Sequence, residues 1–154
     1  MQTTECSIEA TLKTVGDRWT LLILRNIFRG IKRFETIQRD LGVARNLLSK
    51  RLHHLVENGV IERYLYQQRP DRYEYRLTPK GRDLSPSLIA LMQWGDQWCS
   101  SEKPPVMLIH ENCGSPLTHS VQCSTCETDV KAKEIRSLAR PHHKTTNFGV
   151  SNAN

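Results

Sequence analysis

The feature that most constrains this chain is a single change in the period of its apolar residues, at Asn58-Gly59. Before it they recur every three or four residues, the repeat of one helical face; after it they alternate, as on a half-buried strand. Ile8, Leu12 and Val15 make a first short helical stripe closed by Gly16. Asp17 is placed to cap a second, in which Trp19, Leu22, Ile23, Ile27 and Phe28 recur until Gly30, since a short acidic side chain can accept the orphan amides of a first turn. Phe34, Ile37 and Leu41 make a third that stops at Gly42, and Leu48, Leu52, Leu55 and Val56 make a fourth. Two helices joined through a glycine-containing turn are a helix-turn-helix.

Beyond the switch, Ile61, Arg63, Leu65 and Gln67 share one strand face, with Glu62, Tyr64 and Tyr66 on the other. The stretch 72–77 alternates again after Gln68-Arg69-Pro70-Asp71, a turn sequence, so a hairpin with a basic tip is expected. Thr78-Pro79 reads as the N-cap and first-turn proline of a last helix carrying Leu84, Leu88, Leu91 and Trp98, which Pro86 should kink or delay. Ser100 to Pro105 cannot continue that helix and marks a boundary. The expected fold is mainly α with a small β-hairpin, a winged helix-turn-helix in 1–100. A small Cys/His annex follows in 101–140 and a polar, mobile tail in 141–154.

Charge is concentrated where the helix-turn-helix lies. Of a formal net +6, the stretch 25–82 carries 14 Lys or Arg against 6 Asp or Glu, a net of +8. Such a local positive field suits a nucleic acid. The longest apolar run, Leu21 to Leu24 beside Trp19, ends at Arg25, far short of the ~20 residues that cross a bilayer. No membrane partner is expected, and with no secretory signal legible at Met1 to Cys6 the protein is expected in the cytoplasm.

The major groove admits one helix, which makes the outward face of the fourth helix the candidate reader. Leu48, Leu52, Leu55 and Val56 face inward, while Asn46, Ser49, Lys50 and His53 point outward. That face offers an amide for an adenine edge, a hydroxyl for either role, and cations for guanine or phosphate. Arg45 and Arg51 flank it and suit phosphates. Arg69 and Arg72 stand at the hairpin tip, where Arg69 could enter a minor groove. A polar helix face alone is ordinarily just solvated; helix order, turn glycine, basic wing and local charge together favour DNA. Ala44 stands where Ser or Thr would be the usual cap. No Gly-rich phosphate loop or nucleophile elbow is present, so no enzyme is expected.

These residues also carry a resemblance. Cys6-Ser7-Ile8, Gly16 to Arg25 (GDRWTLLILR), Arg33-Phe34, Leu48-Ser49-Lys50-Arg51-Leu52, Arg72 to Gly81 (RYEYRLTPKG), Trp94-Gly95 and Trp98 make 6–98 similar to an HxlR-type winged helix-turn-helix transcriptional regulator. That bacterial family is related in fold to the MarR regulators. The resemblance implies a homodimer on duplex operator DNA, with the first and last helices forming the dimer interface. It implies a further role for Cys6, since some members use a cysteine there to sense oxidants or electrophiles; Ser7 stands where many relatives have proline. A thiol at the start of a helix has local physics behind that role, because the helix dipole stabilises its thiolate. The bland alternative is an unreactive thiol packed in the dimer interface.

In the annex, His110-x-x-Cys113 and Cys123-x-x-Cys126 have zinc-knuckle spacing, with His119 a rival ligand and Glu127 where a knuckle usually has glycine. A structural zinc is one reading; a metal-free ribbon and a Cys123/Cys126 disulfide are the others. Three thiolates and an imidazole leave no open coordination position for catalysis. Taken together, the sequence describes a dimeric DNA-binding regulator, by default a repressor that occupies its promoter, needing no cofactor for DNA binding and specifying no effector. A zinc-binding interaction adaptor without DNA specificity is the rival.

Overall fold

The computed structural model describes residues 6–99 and 104–138. Its elements follow the expected order: α1 (Ser7–Val15), α2 (Arg18–Phe28), α3 (Phe34–Leu41), α4 (Arg45–Glu57), β1 (Ile61–Gln67), β2 (Arg72–Leu77), α5 (Pro79–Arg82) and α6 (Ser85–Trp98). The chain divides after His119 into two compact units. This division lies beyond the linker expected at Ser100 to Pro105, because Gln93 of α6 holds the chain downstream. Its Nε2 donates to the Leu117 carbonyl at 2.7 Å, and its Oε1 accepts from the His119 backbone N–H at 3.1 Å. The polar tail expected in 141–154 lies outside the described residues.

The core of the first unit is made where the helical stripes converge. Ile23, Leu24 and Ile27 of α2, Ile37 of α3, and Leu48, Leu52 and Leu55 of α4 are buried together with Val43, Val60 and Ile61. The burial of Leu24, and of Thr20 and Asn26 beside it, widens the inner face of α2 beyond the stripe read from sequence. α2 is enclosed on more than one side, so apolar spacing alone underestimates what it buries. The first stripe behaves in the opposite way. Only Val15 of α1 is buried, while Ile8 and Leu12 are 70% and 57% exposed.

β1 and β2 pair antiparallel, with Ile61 opposite Leu77 and Leu65 opposite Tyr73, and a bulge between Leu65 and Gln67. The Tyr75 N–H donates to the Lys32 carbonyl at 2.8 Å, which fastens the hairpin to the α2–α3 connection. Pro86 has the delaying effect expected of it: α5 stops at Arg82, and α6 starts at Ser85 with the proline in its first turn, where no amide is lost. The Thr78 hydroxyl accepts from the Gly81 N–H at 3.1 Å.

Gly81 sits where the end of the hairpin meets the chain leaving α4. A Cβ at this position would lie 2.1 Å from the Val60 carbonyl oxygen and 3.1 Å from Leu77 Cδ2. The backbone neighbour cannot step aside as a flexible side chain could. Gly81→Ala is expected to destabilise the fold by about 1–3 kcal/mol, the usual cost of overpacking. Chemical denaturation would register this as a lower midpoint at unchanged slope; an unaltered midpoint would contradict the close approach.

Candidate nucleic-acid interface

The orientation of α4 is set first by its inner side and then by one ion pair. Asp17, the N-cap of α2, accepts from the backbone N–H groups of Trp19 at 3.0 Å and Thr20 at 3.2 Å through Oδ1. Its other oxygen, Oδ2, lies 3.0 Å from Arg51 Nη2, with both side chains about one-third exposed. The Asp17 cap appears as the sequence suggests, but Arg51 is the exception among the expected DNA contacts. It is turned to Asp17 rather than out with its neighbours, and its buried Nε has no partner among the described residues.

The remaining predicted residues of α4 share the solvent face. Arg45, Asn46, Ser49, Lys50 and His53 are all exposed. Arg45 stacks on Phe34 of α3, its Cζ 4.8 Å from the ring centroid. Asn46 Oδ1 accepts from the Leu47 N–H at 2.8 Å, and Ala44 supplies no side-chain cap. His53 pairs with Glu57 one turn on, at 3.1 Å. The adjacent His54 points elsewhere, its Nε2 3.1 Å from the Thr14 carbonyl, as the ~100° step between helical neighbours requires. Ser49 and Lys50 have no side-chain partner among the described residues.

On the hairpin, Arg69 and Arg72 are exposed, and Arg69 is held at a φ of 63°. The other hairpin arginines are engaged with rings. Arg63 lies 3.6 Å from the Tyr73 centroid and Arg76 3.3 Å from that of Tyr64, while Arg33 covers Tyr66 at 4.5 Å. Arg76 Nε also donates to Glu74 Oε1 at 2.6 Å. Tyr64, Tyr66 and Tyr73 are thus each covered by an arginine. Arg63–Tyr73 and Arg76–Tyr64 are diagonal cross-strand neighbours. The signal was present as alternating Arg and Tyr, but it becomes readable only once the register is fixed.

Cys6 occupies the N-cap position of α1 and is exposed. The backbone N–H groups of Glu9, chiefly, and Ile8 hold its thiol below the ordinary thiol value, which is the effect expected of a helix start. The other thiols carry no disulfide either. His110 Nδ1 lies 3.3 Å from Cys113 Sγ in the first unit, and Cys123 and Cys126 lie 3.3 Å apart in the second. Among the described residues no three His, Cys, Asp or Glu side chains gather around one point. His119 is not in either pair, because its Nδ1 is hydrogen-bonded to Gln93 Oε1. No helix among the described residues is long and apolar enough to cross a membrane.

Three helices, a reading helix and a two-stranded wing, with cations on the exposed side of both, define a winged helix-turn-helix of the transcription-regulator class. The chain belongs to the HxlR-like helix-turn-helix family, whose profile matches residues 14–103. It is 42% identical over 139 residues to the uncharacterized HTH-type transcriptional regulator Rv3095 of Mycobacterium tuberculosis strain H37Rv, covering 90% of this chain and 88% of the relative. Among solved structures it is similar to PA1607, a candidate transcription factor, with 33% identity and a TM-score of 0.80 over 90% of this chain and 98% of that one. The reduced form of the redox regulator HypR is similar over 60% of this chain and 92% of its own length, with 30% identity and a TM-score of 0.56. The protein is a transcriptional regulator with a helix-turn-helix DNA-binding fold and not an enzyme.

The Asp17–Arg51 pair yields a test of how α4 is held. Asp17→Ala removes both the cap and the ion pair, and should cost about 1–2 kcal/mol, mostly from the cap. Thermal unfolding would show it, and affinity should fall more on a specific duplex than on a scrambled one, because base readout depends on the orientation of α4. An unchanged melting temperature would contradict the hold of Asp17 on the two helices.

Proposed function

We propose that the chain is a homodimeric repressor that acts in the cytoplasm by occupying operator DNA. The observation that carries this reading is the shared exposure of Arg45, Asn46, Ser49, Lys50 and His53 along one side of α4, with Arg69 and Arg72 at the tip of the wing. Asn46, Ser49 and Lys50 read base edges, Arg45 and the tip arginines engage phosphate or the minor groove, and Arg51 positions the helix. Dimerisation is supported by the apolar side chains left outside the core. Leu91, Trp94 and Trp98 of α6 are more than half exposed, as are Ile8 and Leu12 of α1. Leu88, by contrast, packs against the core of its own unit. A monomer would leave these large apolar groups in water, and a second copy is the self-complementary way to cover them.

Selection of binding sites from random duplex DNA tests the reading. The expected product is an inverted repeat with half-sites about one helical turn, ~34 Å, apart, bound by a protein whose light-scattering mass is that of a dimer. Lys50→Ala and Asn46→Ala should each lose about 1–3 kcal/mol of discrimination between matched and mismatched duplexes. Arg69→Ala should instead lower the salt slope by about one. Sequence-blind binding by a monomer would overturn the proposal and favour an interaction adaptor.

We also propose that Cys6 makes the regulator thiol-responsive. Its support is the N-cap position, the exposure and the lowered pKa, together with similarity to HypR, which is a redox regulator. A hydroperoxide would convert the thiolate to a sulfenic acid. Treated protein should change its operator affinity, while Cys6→Ser should bind DNA and ignore the reagent. Modification of Cys6 with no change in affinity would return it to a packing role.

A further inference from the structure

The second compact unit holds two thiols against each other. Cys126 Sγ donates to Cys123 Sγ at 3.3 Å, and both residues lie in the unit that begins at Ser120. The turn that carries them is fixed by its own backbone. The Cys123 N–H donates to the Thr128 carbonyl at 3.0 Å, the Glu127 N–H to the Cys123 carbonyl at 2.9 Å, and the Val130 N–H to the Val121 carbonyl at 2.8 Å. Gln122 Nε2 adds a bond to the Glu127 carbonyl at 2.9 Å, and an antiparallel bridge joins Gln122 to Asp129. From 120 to 138 no described residue is buried, so hydrogen bonds rather than apolar packing keep the two sulfurs facing each other.

A pair set in this way has the chemistry of a resolving couple. A solitary surface thiol, once oxidised, must wait for a second thiol from elsewhere, whereas a neighbour held at contact distance makes the second step intramolecular. Reagent access is given as well, since Cys126 is exposed and Cys123 half-buried. The backbone N–H of Cys126, chiefly, and that of Thr125 hold the Cys123 thiol below its ordinary value, which favours the thiolate as the attacking form. Cys113 offers a contrast, because its neighbour at 3.3 Å is the imidazole of His110 and not a thiol.

We propose that Cys123 and Cys126 form a reversible dithiol–disulfide couple oxidised by hydroperoxides. The Cys123 thiolate attacks the terminal peroxide oxygen. The O–O bond breaks, the sulfur becomes a sulfenic acid, and the oxygen that leaves takes a proton to give an alcohol or water. The Cys126 thiolate then attacks the Cys123 sulfur, forming the S–S bond and expelling hydroxide, which is protonated to water. Both thiol protons end on these products, and two electrons pass from the sulfurs to the peroxide. An external thiol reverses the change through a mixed disulfide. The couple uses neither Cys6 nor any residue of the reading face, so it stands or falls apart from the proposed function.

Peptide mass analysis of the full, reduced chain, treated with hydrogen peroxide and then alkylated at its remaining thiols, tests the proposal. The expected product is an intrachain disulfide between Cys123 and Cys126, marked by loss of two hydrogens and of both alkylation sites and reversed by dithiothreitol. It should form before the exposed Cys99 is modified, and equally in Cys6→Ser and Cys113→Ser. Cys126→Ser should instead accumulate a sulfenic acid at Cys123, trapped by a cyclic dione. Should that variant fail to fold, the unmodified chain decides alone, because the disulfide is read directly on it. Oxidised chain in which Cys123 and Cys126 both remain open to alkylation overturns the proposal, as does pairing of either with Cys113 or with another chain. A pair that resists peroxide until a chelator is added belongs to a metal, and overturns it too.

Discussion

The structure depends on the two oxygens of the Asp17 carboxylate. One closes the first turn of α2, the helix at the centre of the core, and the other holds Arg51 of α4. A single side chain thereby fixes the start of the scaffold helix relative to the middle of the reading helix. Burial of Leu48, Leu52 and Leu55 determines which side of α4 faces inward, but apolar contacts are non-directional and leave the helix some freedom to slide or rotate. A charged hydrogen bond with defined geometry removes that freedom. Because the outer face of the same helix must meet base edges, its orientation matters to function as well as to stability.

Most of the scaffold was legible in the sequence because its signals are local. The period change at Asn58-Gly59, the caps at Asp17 and Thr78, and the position of Pro86 each act within a few residues, and each has its expected counterpart in an element boundary. Relations between distant residues were less legible. Arg51 reads in the sequence as a flank of the outward face, and its ion pair with Asp17, 34 residues away, follows only from the tertiary approach of α2 and α4. Ile8, Leu12 and Val15 of α1 were legible as one stripe, yet spacing cannot say which surface a stripe faces, and only Val15 is buried. Gln93 gave no signal at all, since an amide that holds a returning segment has no characteristic neighbours in sequence.

Two regions of the chain are held by different physics. The exposed tryptophans of α6 and the outer residues of α1 leave apolar surface outside the core, whereas the stretch 120–138 has no buried residue and is shaped by backbone hydrogen bonds. Apolar association scales with area, and a hydrogen bond depends on the geometry of its donor and acceptor.

The pairing of arginines with tyrosines on the hairpin has a consequence for ordering. A free arginine has several rotatable bonds to immobilise when it meets a partner, an entropic loss of roughly 2 kcal/mol per side chain. Arg63 and Arg76 are stacked on Tyr73 and Tyr64 by contacts within the chain itself, so much of that ordering belongs to folding. They stiffen the two strands as a pre-set lever. At its end Arg69 and Arg72 are exposed. The wing therefore separates rigidity from adaptability along its length: on the reading proposed above, the base fixes where the tip can go, and the tip keeps the conformational choice to follow a groove whose width varies with sequence.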